Sequence, residues 1–530
     1  MAGINDTVHQ RLWRWGNSNR TQVVFVIILL IGIFARIWEF RTLPPGLHHD
    51  EAAIGMEAYY LYHYGVDRNN ISYPIHFIGW GNGQNAPHAY LIIPFIALLG
   101  LSISVIRLPI LLSGIATLPF IYLIFKRTVD EKFGLFAMFC IAISPWHILL
   151  SRWGLESNLL PFIFTVGYFF LLKTKDDWRW FIPANVIFAV CLYTYGTTYA
   201  FLPIFLFFAI GILLRSGTLT ISQVIIGLLI VATLGLPVIL FVLINIFGLD
   251  SIHLGPITIP HMPTLSRFQG EGAMFQSNPL KVIYSYLLGL LNLLISQNDF
   301  RIRNVMPAYG YFYRFTFPLA VLGVWAALRT IKERRVEKLL LIAWLGAAFI
   351  LGMLEPVIVN RINIIFIPVI ILIAYSIYWL SSSFRIVMPV AIAVLLIAFS
   401  FFTYDYHGKA YKLEAGKEFY TGLLSAIKYA QSQGDNMPIC ITTYKMYQPY
   451  IFVLYTERTP PSEYLGSIHY VDPANPLREV DQLGRYTFGL DNCADDPKSS
   501  YVLFFKEKPD HPKWYVSKRF DSYVVYAPKP

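Results

Sequence analysis

Leu47-His48-His49-Asp50-Glu51-Ala52 follows the long apolar segment Val23 to Ile37 and gathers four ionisable side chains just beyond its end. A carboxylate pair at a membrane surface can activate a nucleophile, bind a cation, or supply the acidic first turn that a helix dipole favours. The stretch alone leaves all three open. The chain around it narrows the choice.

The 530 residues are 56% hydrophobic and only 14% charged, with a mean hydropathy of +0.52, far too apolar for one soluble domain. The composition predicts an all-α polytopic membrane protein. Aromatics at 16%, with 34 Tyr and 12 Trp, suit side chains that settle with one end wet and the other in lipid. A net charge of +10 does not point to nucleic acid, because the basic residues fall in short clusters between apolar runs, as positive-inside sorting requires. The apolar stretch after Arg20 is long enough to span and has no small-residue cleavage site after it, so a retained first helix is expected rather than a signal peptide. Cys140 and Cys191 sit in apolar segments as small buried side chains. Cys440 and Cys493 share a polar C-terminal region and can pair if that region lies outside the cytoplasm.

Charge sorting sets the topology. Arg11, Arg14 and Arg20 hold the N-terminus in the cytoplasm, so the first helix, 21–40, runs outward and presents 41–106 as the first external loop. Within that loop, Met56 to Tyr64 has a helical pattern and Gly79 to Pro87 must turn. Ala89 to Leu101 rises about 20 Å as a helix, short of the roughly 30 Å hydrocarbon core, and is read as juxtamembrane or re-entrant. Spans are expected at 107–125, 133–150, 157–173, 179–195, 197–214, 222–246, 315–331, 338–354, 362–380 and 386–404, and Val282 to Ser296 is expected outside, lying on the membrane. The count is about 11, within a range of roughly 10–13. An odd number places 405–530 outside as a small α/β domain, after a membrane domain at 1–404. In that tail Glu414 to Gln433 reads as an amphipathic helix, and Met437 to Thr443, Tyr501 to Phe505 and Tyr523 to Ala527 read as strands.

With this topology Asp50, Glu51, Arg107, Arg152, Glu156, Arg301, Arg303, Glu355 and Arg361 all fall on the outer face. Arginines there have no orientation role. Guanidinium forks around a carboxylate pair suit an anionic, membrane-borne ligand, although Arg107 or Arg152 would equally serve to neutralise Glu156 or Asp50. His48 and His49 beside Asp50 resemble a fragment of a divalent-metal site, at a spacing too unspecific to assign ligands. His63, His76, His88 and His147 read as interfacial polar tips, and His261, in a Pro-rich loop, as a candidate ligand contact. There is no P-loop, dinucleotide fingerprint or Gly-x-Ser-x-Gly elbow, which excludes soluble nucleotide chemistry of those kinds.

One ordered series carries a family resemblance. His49-Asp50-Glu51-Ala52, a Pro-containing loop, Leu99-Gly100-Leu101, Arg107-Leu108-Pro109, Ser144-Pro145-Trp146-His147 and Ser151-Arg152, continued by Asn360-Arg361-Ile362-Asn363 and Pro368, resembles the GT-C glycosyltransferases that use lipid-linked sugars. Within that class it is similar to bacterial relatives of the protein O-mannosyltransferases (family 39-like) and of the aminoarabinose transferases that modify lipid A. The resemblance implies a bundle of 11 to 13 helices with external juxtamembrane helices, a polyprenyl-phosphate-linked sugar as donor, and Asp50 as the acidic residue of the catalytic centre. Many relatives have Lys-Pro-Pro in the first loop, where this chain has Gln84-Asn85-Ala86-Pro87.

The expected function is therefore inverting sugar transfer from a polyprenyl-phosphate carrier to an envelope glycan, lipid or protein on the outer face of the cell membrane. Asp50 is the expected general base and Glu51 its neighbour in the catalytic pair. Arg361, then Arg152 and Arg107, are the expected phosphate ligands, with Trp80, Gln84, Asn85 and His261 shaping the donor and acceptor loop. No metal ligand is assigned. The competing readings are a flippase for lipid-linked oligosaccharide, which would call for repeated halves and midplane charges, and a non-catalytic envelope-assembly factor.

Overall fold

The computed structural model describes residues 20–264, 270–330, 332, 335–475, 477–493 and 496–529. The basic flank of Arg11 and Arg14 and part of the His261 to Glu271 loop lie outside the described residues. Eight described helices are long and apolar enough to cross a membrane. Seven of them, Arg20–Ile37, Ile103–Thr128, Thr198–Arg215, Ile221–Phe247, Arg335–Leu354, Val359–Ser383 and Val387–Tyr406, fall on expected spans.

The eighth, Pro279–Ser296, had been expected to lie on the surface. It gains a turn because Asn278 caps it, accepting from Lys281 N at 3.3 Å, and Pro279 opens its first turn. Four other expected spans form shorter helices, Glu131–Ala142, Leu160–Lys173, Phe181–Thr194 and Phe317–Arg329. They are cut by local chemistry: Pro145 starts a new helix, Pro145–Leu150, after the break at Ile143 and Ser144, and three-residue or four-residue 3-10 turns precede the other three. All four contribute to the main apolar core.

The external loop is built round the helix His49–Tyr64, which starts earlier than its pattern suggested because His48 and Glu51 form a capping box. The turn after it is closed by the short antiparallel pair His76–Phe77 and Gln84–Asn85, and the helix Pro87–Leu99 occupies the expected juxtamembrane stretch.

The C-terminal region forms a seven-stranded sheet ordered Tyr515–Phe520, Tyr523–Pro528, Ser500–Phe504, Ile439–Ile441, Tyr486–Phe488, Val480–Leu483, Ile468–Tyr470. Only central Ile439–Ile441 pairs in parallel, on both sides. Cys440 and Cys493 are joined by a disulfide. The expected helix 414–433 is two, Lys409–Glu418 and Leu423–Gln431, broken where Gly422 takes φ 90° and packs so closely that a Cβ would meet Phe520 O at 2.3 Å. This sheet does not keep its core to itself. Leu47, Ala53, Tyr60, Phe77 and Trp80 of the first loop share one apolar cluster with Ile427, Ile439, Tyr450, Phe452 and Val525.

Candidate active site

Two adjacent carboxylates in the opening stretch have opposite surroundings. Glu51 is fully buried and saturated: Arg107 donates to it through Nε at 2.7 Å and Nη2 at 2.8 Å, His48 N at 3.1 Å and Gly154 N at 2.8 Å. Asp50 keeps 26% of its side chain exposed. The helix period explains the split, since consecutive residues point about 100° apart and only one can face the core.

The arginines divide the same way. Arg107 is fully buried and also donates to Pro44 O and Gly46 O, so it locks the loop to Glu51. Arg152, equally buried, donates to Ala35 O, Arg36 O, Trp38 O and Leu43 O. It neutralises the carbonyl end of the first helix, where the dipole favours a cation. The Nη atoms of both arginines are thus engaged by the protein's own acceptors, which does not favour the expected role of Arg107 and Arg152 as donor-phosphate ligands. Nor do the contacts of Glu51, both of whose oxygens are filled, favour its expected place in the catalytic pair.

Arg361 is different. It lines a cavity with His76, Asn82, Gly83, Asn85, Glu156, Tyr195, Gly196, Thr197, Tyr199, Phe241 and Glu355. Its guanidinium pairs with Glu271 and lies 3.8 Å from Glu355. An anionic ligand entering here would meet a carboxylate already on the cation. Glu156 and Glu355 were marked in the sequence only as acids at the outer face. Tyr195 gave no signal, because its place depends on the break between the helices Phe181–Thr194 and Thr198–Arg215.

The turn Gly79 to Asn85 connects the two regions. Trp80 at one end donates through Nε1 to Asp50 Oδ1 at 3.3 Å, and Asn82, Gly83 and Asn85 at the other line the Arg361 cavity. Asn85 Nδ2 is fixed on Tyr193 O at 3.0 Å, and Gln84 is buried in the strand pair. Trp80 is held from behind by Arg68, whose Cζ lies 4.4 Å over its ring and whose Nε is 3.1 Å from Glu57 Oε1. Tyr464 of the C-terminal region donates its hydroxyl to Arg68 O. The local sequence did not reveal this brace. His261 is exposed, and its neighbour Thr264 reaches the turn instead, donating to Gly81 O at 2.8 Å.

His48, His49 and Asp50 bring one potential metal-ligand atom each within 4.8 Å of one another. His48 Nδ1 already accepts Asp50 N at 3.2 Å, so a cation there would compete with the helix cap. Burial, with the neighbouring charges of His49, Arg303 and Arg107, holds His48 well below the usual imidazole range, and burial also lowers His49. Both rings are therefore neutral at pH 7.

Comparison with known proteins bears on the whole arrangement. The family model for dolichyl-phosphate-mannose-protein mannosyltransferase matches residues 85–243, which include Asn85, Glu156, Tyr195 and Tyr199 but neither Asp50 nor Arg361. No curated protein sequence matches the chain. Its structure is similar to ArnT from Cupriavidus metallidurans bound to undecaprenyl phosphate, with TM-score 0.58 and 14% identity over 95% of this chain and 97% of that one. It is also similar to the oligosaccharyltransferase AglB from Archaeoglobus fulgidus in complex with an inhibitory peptide and a dolichol-phosphate, with TM-score 0.55 and 12% identity over 97% and 75%. At such identities the likeness is one of fold. The chain thus carries the GT-C glycosyltransferase fold, with a sequence match to the mannosyltransferase family over residues 85–243.

Proposed function

We propose that this protein is a membrane glycosyltransferase that moves a sugar from a polyprenyl-phosphate carrier to a glycan, lipid or protein acceptor at the outer face of the cell membrane. One observation carries the reading. A groove of about 850 Å3 between the helices Thr198–Arg215 and Ile221–Phe247 has an almost wholly apolar lining, including Leu202, Leu206, Val231 and Leu243, and Tyr199 lines both this groove and the cavity of Arg361. A polyprenyl tail suits the first and its phosphate the second. ArnT with undecaprenyl phosphate and AglB with dolichol-phosphate support the donor class, and the inhibitory peptide on AglB supports an acceptor of macromolecular size.

Asp50 acts as general base, because it is the carboxylate of the first loop that keeps an open face. It takes the proton as the acceptor oxygen or nitrogen attacks the anomeric carbon. The bond from that carbon to the phosphate oxygen breaks on the opposite face, which inverts the centre and releases polyprenyl phosphate. Arg361 stabilises the charge on the leaving phosphate. The disulfide Cys440–Cys493 supports an oxidising compartment for residues 405–530, and with Arg20 at the other end of the first helix it favours a cytoplasmic N-terminus.

The test is release of polyprenyl phosphate from a polyprenyl-phosphate sugar by the purified protein, which a flippase or assembly factor would not produce. Arg361→Ala is expected to raise the donor KM at least tenfold. An unchanged donor KM removes it from the phosphate site.

A further inference from the structure

The helix Ile103–Thr128 starts beside the Glu51–Arg107 pair and has 26 residues, so its far end lies about 39 Å away, on the other side of a membrane. At that end is a cleft of about 460 Å3 whose lining includes Asp130, Thr330, Lys338, Tyr378, Trp379 and Ser382. It holds one cation and one anion, and they are not paired with each other.

Lys338 is 5% exposed. Lysines near helix ends usually reach out to water, but this one turns inward, donating to Thr330 O at 2.6 Å and Thr330 Oγ1 at 2.9 Å. Those contacts use two of its three N–H donors. Among the described residues it has no carboxylate partner, since the adjacent Glu337 is taken by Lys175 at 2.7 Å. A buried ammonium without a counter-ion is costly. Asp130, across the cleft, is half-buried and caps the helix Glu131–Ala142, accepting Phe133 N at 2.9 Å and the Tyr378 hydroxyl. It too has no cationic partner among the described residues. Trp379 and Tyr378 also line the cleft, aromatic side chains of the kind enriched where a membrane meets water.

A cavity with an ammonium on one wall and a carboxylate on the other, neither paired with an opposite charge among the described residues, is complementary to a zwitterion. We propose that this cleft binds the phosphoethanolamine headgroup of a phospholipid in the leaflet opposite the active site. The phosphate sits on the third N–H of Lys338, since the hydroxyls of Thr330 and Ser382 already donate to Ala326 O and Trp379 O, and the amine sits on Asp130 and the Tyr378 ring. This site is independent of the sugar-transfer reading.

The test uses the purified full chain, stripped of lipid and re-equilibrated with vesicles of phosphatidylethanolamine or phosphatidylglycerol, with retained lipid counted by native mass spectrometry. One phosphatidylethanolamine is expected to stay bound, at least tenfold in excess of phosphatidylglycerol, which has the phosphate but no amine. Lys338→Met is expected to lose it. Ser382→Trp, which fills the cleft and leaves the Lys338–Thr330 contacts in place, is expected to lose it as well. Equal retention by wild type and both variants overturns the site, and so does equal retention of the two lipids. Displacement by soluble phosphoethanolamine at equal concentration overturns the lipid as occupant.

Discussion

Asp50 and Glu51 are neighbours in sequence, and their substitutions are expected to fail in opposite ways. Glu51→Gln removes the carboxylate paired with Arg107, a side chain with no exposure that takes two charge-assisted hydrogen bonds from it, at 2.7 and 2.8 Å. Breaking a buried pair by removing one partner costs roughly 3–5 kcal/mol, a large part of the roughly 5–15 kcal/mol by which proteins are stable. The variant also weakens the acceptor for His48 N and Gly154 N, so the loop loses its cap and its tie to the bundle. Asp50→Asn keeps an oxygen for the Trp80 indole and leaves a side chain that was already 26% exposed, so its stability is expected within about 1 kcal/mol of wild type. Its rate should fall by about two to four orders of magnitude, the usual contribution of a general base. Thermal unfolding in detergent, read as loss of the monodisperse species, and sugar transfer measured on the same preparations separate the two. A stable Glu51→Gln variant together with an unfolded Asp50→Asn variant would refute the assignment of one carboxylate to structure and the other to chemistry.

Other consequences are more local. Trp80→Phe keeps the ring under Arg68 and deletes the donor to Asp50, so kcat is expected to fall about tenfold, the equivalent of one hydrogen bond to a charged group, with donor KM unchanged. A changed KM with unchanged kcat would contradict this positioning role. Glu271→Gln removes the carboxylate that pairs with Arg361 and is expected to lower the donor KM several-fold. Asp67 has its carboxyl pushed up to about 8, chiefly by burial and then by the charge of Glu57. The folded state therefore keeps a proton that the unfolded chain releases above its ordinary 3.8, and stability falls as pH rises from about 4 toward 8, by at most ~1.4 kcal/mol per unit. Asp67→Asn, which can still accept Asn69 N and Ile71 N through Oδ1, is expected to flatten unfolding temperature against pH across that window.

Residues that obey simple sorting rules were legible in the sequence. The apolar runs marked most helices, and the polar tail with its two cysteines became a disulfide-bonded sheet. What the sequence concealed lay in contacts far apart along the chain. Arg107 and Arg152 were recognised as cations without an orientation role, but whether such a cation meets a ligand or a loop depends on carbonyls at Pro44, Gly46 and Ala35 that leave no mark on the sequence. The Arg68–Trp80 brace joins a loop to Tyr464, 396 residues away from Arg68. The strands Val480–Leu483 and Tyr515–Phe520 escaped notice because their exposed or half-exposed positions carry Asp481, Gln482, Lys518 and Arg519, and the second lies at the sheet edge, where alternation is weak.

Sugar release from a polyprenyl phosphate with Asp50 as base is the chemistry proposed for this chain. The most direct measurement is single-turnover release of polyprenyl phosphate by purified wild type and Asp50→Asn, at equal folded concentration and saturating donor. Release by the wild type and a loss of at least a hundredfold in the variant is the predicted result. Release at equal rates, or no release by wild type in the presence of a competent acceptor, would contradict it.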